Sequence, residues 1–361
     1  MSGSLDVSES AHRILIVRLG SMGDIIHTLP AATALRRVFP EAMLGWIVEE
    51  RWAELLCATS EPRSGPRSAR RPIADKVHTV NTKAWRRELL SLQTWEQVAA
   101  TISEIRAGEY QLAVDFQGAV RSALLARWSN APEVVGMRQP RETAASMFYT
   151  RQVEISGAHV VEQYLSLAAD VAGCPLDLPA VEFPCDAAAE KKVKELLEAR
   201  GVRDFAVLNP GAGWGAKQWQ AEHYGEVAKE LARDGVQSLI NFGPGEEALA
   251  GAAERTSQGA AFPVKLSLPE LIALTRRARL FVGGDTGPMH LAAALGVPVV
   301  GIFGPTDPAR NGPFGTHSIV LRNPLSTTSL SHRAEPDSGL TQITVEQVTT
   351  AARGLFGASD G

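Results

Sequence analysis

The chain has 361 residues and a formal net charge of −4, and 45% of its residues are hydrophobic. This length predicts two hydrophobic cores rather than one, and the negative balance excludes a general attraction to nucleic acid. Three scattered cysteines, Cys57, Cys174 and Cys185, form neither a disulfide framework nor a CxxC metal motif, which favours a reducing cytoplasm. Because no run approaches the roughly 18 apolar residues of a membrane span, we expect at most a peripheral contact with a membrane.

The first half of the chain alternates short apolar runs with helical patterns. The run at 13–19 predicts a first strand, a glycine-rich turn follows at 20–23, and a helix is predicted from about Asp24 to Val38. Further strands are predicted at 44–48, 77–80, 112–116 and 133–136.

The pattern restarts near residue 200. Strands are predicted at 205–209, 236–242, 280–283 and 298–303, and a last helix at 345–355. This repeated alternation of strand and helix predicts an α/β protein built from two Rossmann-like domains, each with a doubly wound parallel sheet, that face a central cleft.

Changes in composition suggest the domain boundaries. Residues 1–12 are polar and lack the apolar core of a secretory signal, so a disordered tail is predicted there. An N-terminal domain over 13–178 and a C-terminal domain over 179–343 are joined by a stretch rich in proline. Residues 344–361 are predicted to form a helix that packs back on one of the two domains, and we favour the N-terminal one.

The first candidate for chemistry is Asp24, which follows Gly20, Ser21, Met22 and Gly23 at the end of the first predicted strand. Open α/β sheets bind their ligands at this edge. The turn has neither the GK[ST] of a Walker A loop nor the GxGxxG spacing of a dinucleotide site. The spacing leaves two interpretations of Asp24 open, a carboxylate that caps the helix or a general base.

Two further turns between a strand and a helix carry groups that suit a diphosphate. At 283–290 a glycine-rich turn enters a helix, whose free N–H groups and positive end favour phosphate, with Thr286 and His290 as further donors. Asp285 would repel phosphate, so we expect it to hold the loop or to meet a sugar hydroxyl. In the turn after the strand at 205–209, Lys217 can neutralise diphosphate charge. The alternatives are a capped helix with a buried histidine, and a solvated surface lysine.

The fourth candidate is a basic region over 62–90. It contains eight lysines or arginines against Asp75 and Glu88, a balance of +6. Such a cluster either receives an anionic acceptor or is a solvated face. The part of it that is rich in Arg, Pro and Ser, 61–72, is predicted to be a mobile loop.

These motifs, in this order, resemble the lipopolysaccharide heptosyltransferases of glycosyltransferase family 9. The resemblance spans about Arg13 to Leu355, and its middle part is more similar to the type I than to the type II enzymes. The stretches that carry it are RILIVRLGSMGDIIHTLPA at 13–31, LAVDFQGAVRSALLARWSNAPEVVGM at 112–137, RETAASMFYTRQV at 141–153 and FVGGDTGPMHLAAALGVPVVGIFGPTDP at 281–308.

The resemblance implies a GT-B fold and an inverting, metal-independent transfer that requires no cofactor. The implied donor is ADP-heptose, bound by the C-terminal domain. The implied acceptor is Kdo on a lipid A precursor, bound by the N-terminal domain at the cytoplasmic face of the inner membrane. We expect a monomer that binds no nucleic acid.

The resemblance also assigns roles to residues of this sequence that match the motifs of the family. It implies that Asp24, after SMG, is the catalytic base. The implied donor-binding residues are Lys217, Glu247 with Glu246 as its register alternative, Asp285, Thr286, Gly287 and His290. The implied acceptor-binding residues are Ser21, Met22, Gly23, Lys83, Arg86 and Arg87 around Trp85, and Arg121.

One stretch departs from the type I pattern. The loop at 211–215 lacks the usual threonine and is more similar to that of the type II enzymes, so backbone N–H groups must replace its hydroxyl. A type II enzyme, or another family member with a different nucleotide sugar or acceptor, is therefore an alternative. More remote alternatives are a nucleotide-sugar epimerase or hydrolase, a nicotinamide dehydrogenase, which the absence of GxGxxG disfavours, and a catalytically silent sugar-nucleotide-binding protein.

Overall fold

The structure, a computed structural model, describes residues 13–88, 90–329 and 335–358. The tail predicted at 1–12 and the last three residues of the predicted C-terminal segment lie outside this range. The chain divides into two compact units, Met1–Cys185 and Asp186–Gly361. The division falls just after the proline-rich stretch 173–184, seven residues beyond the predicted boundary between 178 and 179.

The first unit contains a six-stranded parallel sheet with the strand order β3-β2-β1-β4-β5-β6. Its strands are β1 Arg13–Val17, β2 Met43–Glu49, β3 Lys76–Val80, β4 Leu112–Asp115, β5 Glu133–Met137 and β6 Arg151–Val153. Its helices are α1 Met22–Val38, α2 Thr82–Arg87, α3 Leu92–Arg106, α4 Val120–Trp128 and α5 Val160–Ala172. This order is that of a Rossmann fold.

The second unit repeats this topology, with the strand order β12-β11-β10-β7-β8-β9. Its strands are β7 Phe205–Asn209, β8 Gln237–Phe242, β9 Ala261–Lys265, β10 Leu280–Gly284, β11 Val299–Phe303 and β12 Ser318–Arg322. Its helices are α6 Ala187–Ala199, α7 Ala221–Arg233, α8 Glu247–Ser257, α9 Leu268–Thr275, α10 Gly287–Ala294, α11 Pro308–Asn311 and α12 Val345–Ala358.

The order of the strands determines where a ligand can bind in each unit. In the first sheet the chain leaves β1 toward β2 and later returns to pair β4 with the other side of β1, with Val17 opposite Asp115. In the second sheet β7 and β10 adjoin in the same way, with Asn209 opposite Gly283. The loops after these paired strands therefore lie side by side at the carboxyl edge, at the switch point where doubly wound sheets bind ligands.

The central strands form because their sequences are continuously apolar, as strands covered by helices on both faces require. Ile14, Leu15, Ile16 and Val17 of β1 are all buried, and so is the whole of β11. In the described ranges, no helix combines the length and the apolar character that a membrane span requires.

The C-terminal helix α12 belongs to the second unit. Its side chains Val348, Ala352 and Leu355 are buried in the same core cluster as Trp219 of that unit, and the Trp219 indole donates to the carbonyl of Ile343 just before the helix, at 3.0 Å. The apolar face of α12 thus completes the core of its own unit, which is the alternative to the favoured packing on the N-terminal domain.

The side chain of Arg71 holds the loop at 61–72, which the sequence predicted to be mobile, through hydrogen bonds to backbone carbonyls. Arg71 is only 1% exposed. Its guanidinium donates to the carbonyls of Pro62, Gly65, Pro66 and Ala74. A buried arginine whose donors are satisfied by backbone carbonyls fixes the path of the loop.

Candidate active site

Asp24 is the third residue of α1 and lies at the carboxyl edge of the first sheet. Its Oδ2 accepts hydrogen bonds from the backbone N–H of Ser21 at 2.9 Å and from the Ser21 hydroxyl at 3.0 Å. Its Oδ1 pairs with the guanidinium of Arg18 at 2.8 Å. Its side chain is nevertheless 35% exposed. The carboxylate therefore caps the helix and is also accessible to a ligand, so the two interpretations of Asp24 are compatible.

The ion pair with Arg18 orients Asp24. Sequence reasoning did not single out this arginine. Its side chain is 5% exposed, donates to the carbonyl of Phe116 at 2.5 Å and lies 5.2 Å from the centre of the Tyr164 ring. Burial disfavours its charge, but its electrostatic interactions with Tyr164, Asp24 and Asp115 outweigh that effect and raise the pKa of Arg18. The signal in the sequence is an arginine at the end of an otherwise apolar strand.

The neighbouring strand β4 ends on Asp115, a carboxylate that, unlike Asp24, is fully buried and that sequence reasoning missed. Its oxygens accept hydrogen bonds from the N–H groups of Gln117 and Gly118 and from the hydroxyls of Ser122 and Tyr149. Burial raises its pKa. Because this carboxyl group is fully buried, it holds the loop in place and does not meet a ligand.

The loops after β4 and β1 are joined directly by a hydrogen bond. The Gln117 side-chain oxygen accepts from the backbone N–H of Leu19 at 2.9 Å. Asp115 fixes the turn that carries Gln117, and Gln117 in turn fixes the residues just before Asp24. The position of the candidate base is therefore determined by two adjacent strands rather than by its own turn alone.

The predicted basic region separates into two parts. Arg63, Arg67, Arg70, Arg71 and Lys76 are bonded to groups of the first unit. In contrast, Lys83, Arg86 and Arg87 are exposed on α2, which follows β3, and Arg121 is exposed at the start of α4. Because parallel strands end at one edge of the sheet, α2 and the start of α4 lie at the same edge as Asp24.

In the second unit, Lys217, Asp285 and His290 form a buried ionic cluster at the switch point. Lys217 Nζ lies 2.5 Å from Asp285 Oδ2, and His290 Nε2 lies 3.0 Å from Asp285 Oδ1. The three side chains are 10%, 9% and 6% exposed. The ammonium also lies 4.1 Å from the centre of the Trp214 ring. Asp285 thus joins the loops after β7 and β10, which supports the expectation that it holds the loop.

Charge balance explains why Asp285 stays ionised in this cluster. Burial alone would raise its pKa, but the hydrogen bond and charge of His290, together with Lys217, outweigh burial and hold the pKa well below its usual range. The cluster lies at the start of α10, which begins at Gly287 with Thr286 as its N-cap. The positive end of this helix and the Lys217 ammonium together favour an anionic ligand.

Two glutamates stand at the start of α8, and Glu246 rather than Glu247 lies against the loop after β7, which carries Lys217. Glu247 is 55% exposed and pairs with Lys265 at 3.0 Å. The Glu246 carboxylate accepts from the N–H of Gly243 at 2.7 Å, and a Cβ at Gly211 would lie 2.2 Å from it. This geometry favours Glu246, the register alternative, over Glu247 as the donor-site glutamate, because the two neighbours point to different sides at the start of α8.

Comparisons with known proteins agree with this geometry. The profile of glycosyltransferase family 9 (heptosyltransferase) matches residues 98–339, more than half of the chain. Lipopolysaccharide heptosyltransferase 1 of Pseudomonas aeruginosa is 32% identical over 316 residues, which cover 86% of this chain and 83% of that protein. The structure of the Escherichia coli heptosyltransferase WaaC with ADP is 29% identical, with a TM-score of 0.75 over 95% of this chain and 99% of that one. WaaC with ADP-2-deoxy-2-fluoro heptose is 28% identical, with a TM-score of 0.72 over 97% and 100%.

Two Rossmann-like units, with a helix-capping carboxylate at one switch point and a buried ionic cluster at a helix start at the other, fit a glycosyltransferase of the GT-B fold. The chain belongs to glycosyltransferase family 9, the heptosyltransferases. The resemblance drawn from the stretches at 13–31, 112–153 and 281–308 is thereby confirmed.

Proposed function

We propose that this glycosyltransferase moves L-glycero-D-manno-heptose from ADP-heptose to Kdo of a lipid A precursor, in the inner core of lipopolysaccharide. The observation that carries the proposal is the similarity, over nearly the whole chain, to a heptosyltransferase solved with ADP and with a fluorinated ADP-heptose. The enzyme acts in the cytoplasm as a monomer and contacts the inner face of the inner membrane, where a lipid-linked acceptor is available.

The donor binds at the buried cluster of the second unit. Lys217 donates to the carboxylate and the backbone carbonyl of Asp285, and its charge then stabilises the diphosphate, as does His290. The backbone at Gly287 adds the positive end of α10. Glu246, next to Gly211, accepts a hydroxyl of the nucleotide. Negative charge on the leaving ADP grows in the transition state, and fixed charges placed there in advance lower the barrier.

The acceptor binds at the carboxyl edge of the first unit. Ser21, Met22 and Gly23 form the turn beside Asp24, and the exposed cations are Lys83, Arg86, Arg87 and Arg121. Kdo carries a carboxylate and lipid A carries phosphates, and arginine forks bind both groups. Since these four side chains stand at the edge that presents Asp24, they orient the acceptor hydroxyl toward that carboxylate.

Asp24 acts as the general base. The half-exposed carboxylate takes the proton from the acceptor hydroxyl as its oxygen bonds to the anomeric carbon. The bond from that carbon to the diphosphate breaks at the same time, ADP leaves with the electron pair, and the configuration inverts. Arg18 keeps one oxygen of the carboxylate in a fixed direction through its 2.8 Å ion pair.

The experiment is to measure ADP release from ADP-heptose with and without a Kdo-bearing lipid A precursor. We expect release only when the acceptor is present, together with a heptosylated lipid product. Equal release without acceptor would contradict the proposal and indicate a hydrolase. No release in either mixture would contradict ADP-heptose as the donor and would indicate another nucleotide sugar used within the family. The loop at 211–215 would then be the first region to replace with that of a type II enzyme.

A further inference from the structure

A short stretch after β3 exposes large apolar side chains that the proposed chemistry does not use. Leu90 is 101% exposed, Leu92 is 82% exposed and Trp95 is 54% exposed. Leu92 and Trp95 are three residues apart on α3 and so share one face of that helix. Exposed apolar side chains grouped in this way mark an interaction surface rather than a core.

The same stretch begins with the exposed cations of α2. Lys83, Arg86 and Arg87 are spaced by three and four residues, so they also share a helix face. The stretch from 82 to 96 also contains two carboxylates, Glu88 and Glu96, so its three cations leave a net charge of +1. Cationic and apolar side chains combined in this way suit the headgroup region of an anionic bilayer.

The polar side chains of the stretch turn to a different side. Glu88 lines a small pocket together with Glu50, Gln93 and Gln97. Leu90, Leu92 and Trp95 do not line it. The start of α3 is therefore amphipathic outside the core, with a polar side toward the pocket and an apolar side toward solvent.

We propose that Lys83, Arg86, Arg87, Leu90, Leu92 and Trp95 form a docking surface for an anionic lipid bilayer. The three apolar side chains enter the interface while the three cations contact lipid phosphates. The proposal rests on the proposed function in one respect, since a lipid-linked acceptor is the reason for the enzyme to dock. Docking by this surface brings the carboxyl edge of the first sheet, which presents Asp24, to the membrane.

The test is co-sedimentation of the full-length protein with vesicles of phosphatidylcholine that contain phosphatidylglycerol, and with vesicles of phosphatidylcholine alone. We expect binding to the anionic vesicles that weakens with salt. The triple variant Leu90→Ser, Leu92→Ser, Trp95→Ser should bind at least about tenfold more weakly. Trp128→Ser is the matched control, because Trp128 is a 37% exposed tryptophan at the far end of α4, and it should bind as the wild type does.

A second readout locates the contact on the protein. Lipids with brominated acyl chains should quench the fluorescence of the wild type more than that of Trp95→Phe. Activity on a lipid-free Kdo acceptor should be equal in the wild type and the triple variant, so failure of docking and failure of transfer are distinguishable. Vesicle binding by the triple variant equal to that of the wild type, or no binding by the wild type, would overturn the proposal.

Discussion

At the residue scale, Asp285 stabilises the buried cluster at which we propose that the donor binds. It is the shared partner of Lys217 and His290 in a site where all three side chains are about nine-tenths buried. Removing one member of a buried ionic cluster leaves the others without compensation, and this costs about 3 kcal/mol or more.

We therefore expect Asp285→Asn to lower the free energy of unfolding by about 3 kcal/mol at neutral pH. Because the folded-state pKa of Asp285 is depressed, its stabilisation is present above the unfolded-state pKa of about 3.9 and is lost as the pH falls below that value. Urea unfolding of both proteins from neutral pH down to acid measures this. The gap between them should narrow in acid, and a constant gap would contradict the assignment.

The two adjacent glutamates of α8 give a matched pair at the same scale. Glu246 faces Gly211 in the loop that carries Lys217, whereas Glu247 pairs with Lys265 at the surface. We expect Glu246→Gln to weaken ADP binding about tenfold, equivalent to about 1.4 kcal/mol, and Glu247→Gln to leave it nearly unchanged. Isothermal titration calorimetry measures the ADP affinity of both variants. A larger loss of affinity in Glu247→Gln than in Glu246→Gln would support Glu247, as assigned from the sequence.

At the element scale, the adjacent ends of β1 and β4 act as one support for Asp24. Asp115 accepts a hydrogen bond from the backbone N–H of Gln117 and so holds the turn after β4. The Gln117 side chain accepts in turn from the N–H of Leu19 and so fixes the loop after β1. Asp115→Ala leaves buried donors without an acceptor, so we expect a loss of about 2 kcal/mol in unfolding free energy. Asp115→Asn keeps an acceptor oxygen and should lose less. Thermal unfolding measures both variants, and equal losses would show that the hydrogen bonds do not matter.

The sequence predicted the inner strands and one edge strand, β3, but missed the other three edge strands for a physical reason. Strands such as β1 and β11 are buried on both faces and read as continuous apolar runs. The missed strands β6, β9 and β12 lie at the edges of the sheets, where β6 has only three residues, β9 contains a proline and β12 has no buried residue. Edge strands need less apolar sequence and tolerate proline, so their signal is weak.

The sequence also predicted some candidate site residues better than others. Turns between a strand and a helix have recognisable sequences, which is why the sequence pointed to Lys217, Asp285 and His290. It did not predict that these three side chains pair with one another. Arg18 and Asp115 were missed because their importance comes from partners distant in sequence, such as Tyr149. A periodic pattern carries no information about such contacts.

At the scale of the whole molecule, the two units share one topology but carry different chemistry at their switch points. If the donor binds to the second unit, ADP alone should slow amide exchange at 211–217, 243–246 and 285–290, since ligand binding suppresses local opening. The turn at 18–24 should exchange at its original rate. Hydrogen–deuterium exchange by mass spectrometry tests this, and protection confined to the first unit would contradict the division of roles.

The most direct test of the central claim is the heptosyl transfer rate of Asp24→Asn alongside its affinity for ADP. Asparagine keeps a capping oxygen for α1 but cannot take a proton. We expect transfer to fall by about 100-fold or more, while ADP binds as it does to the wild type. Transfer at the wild-type rate would contradict the role of Asp24 as general base, because Asp24 would then be only a helix cap.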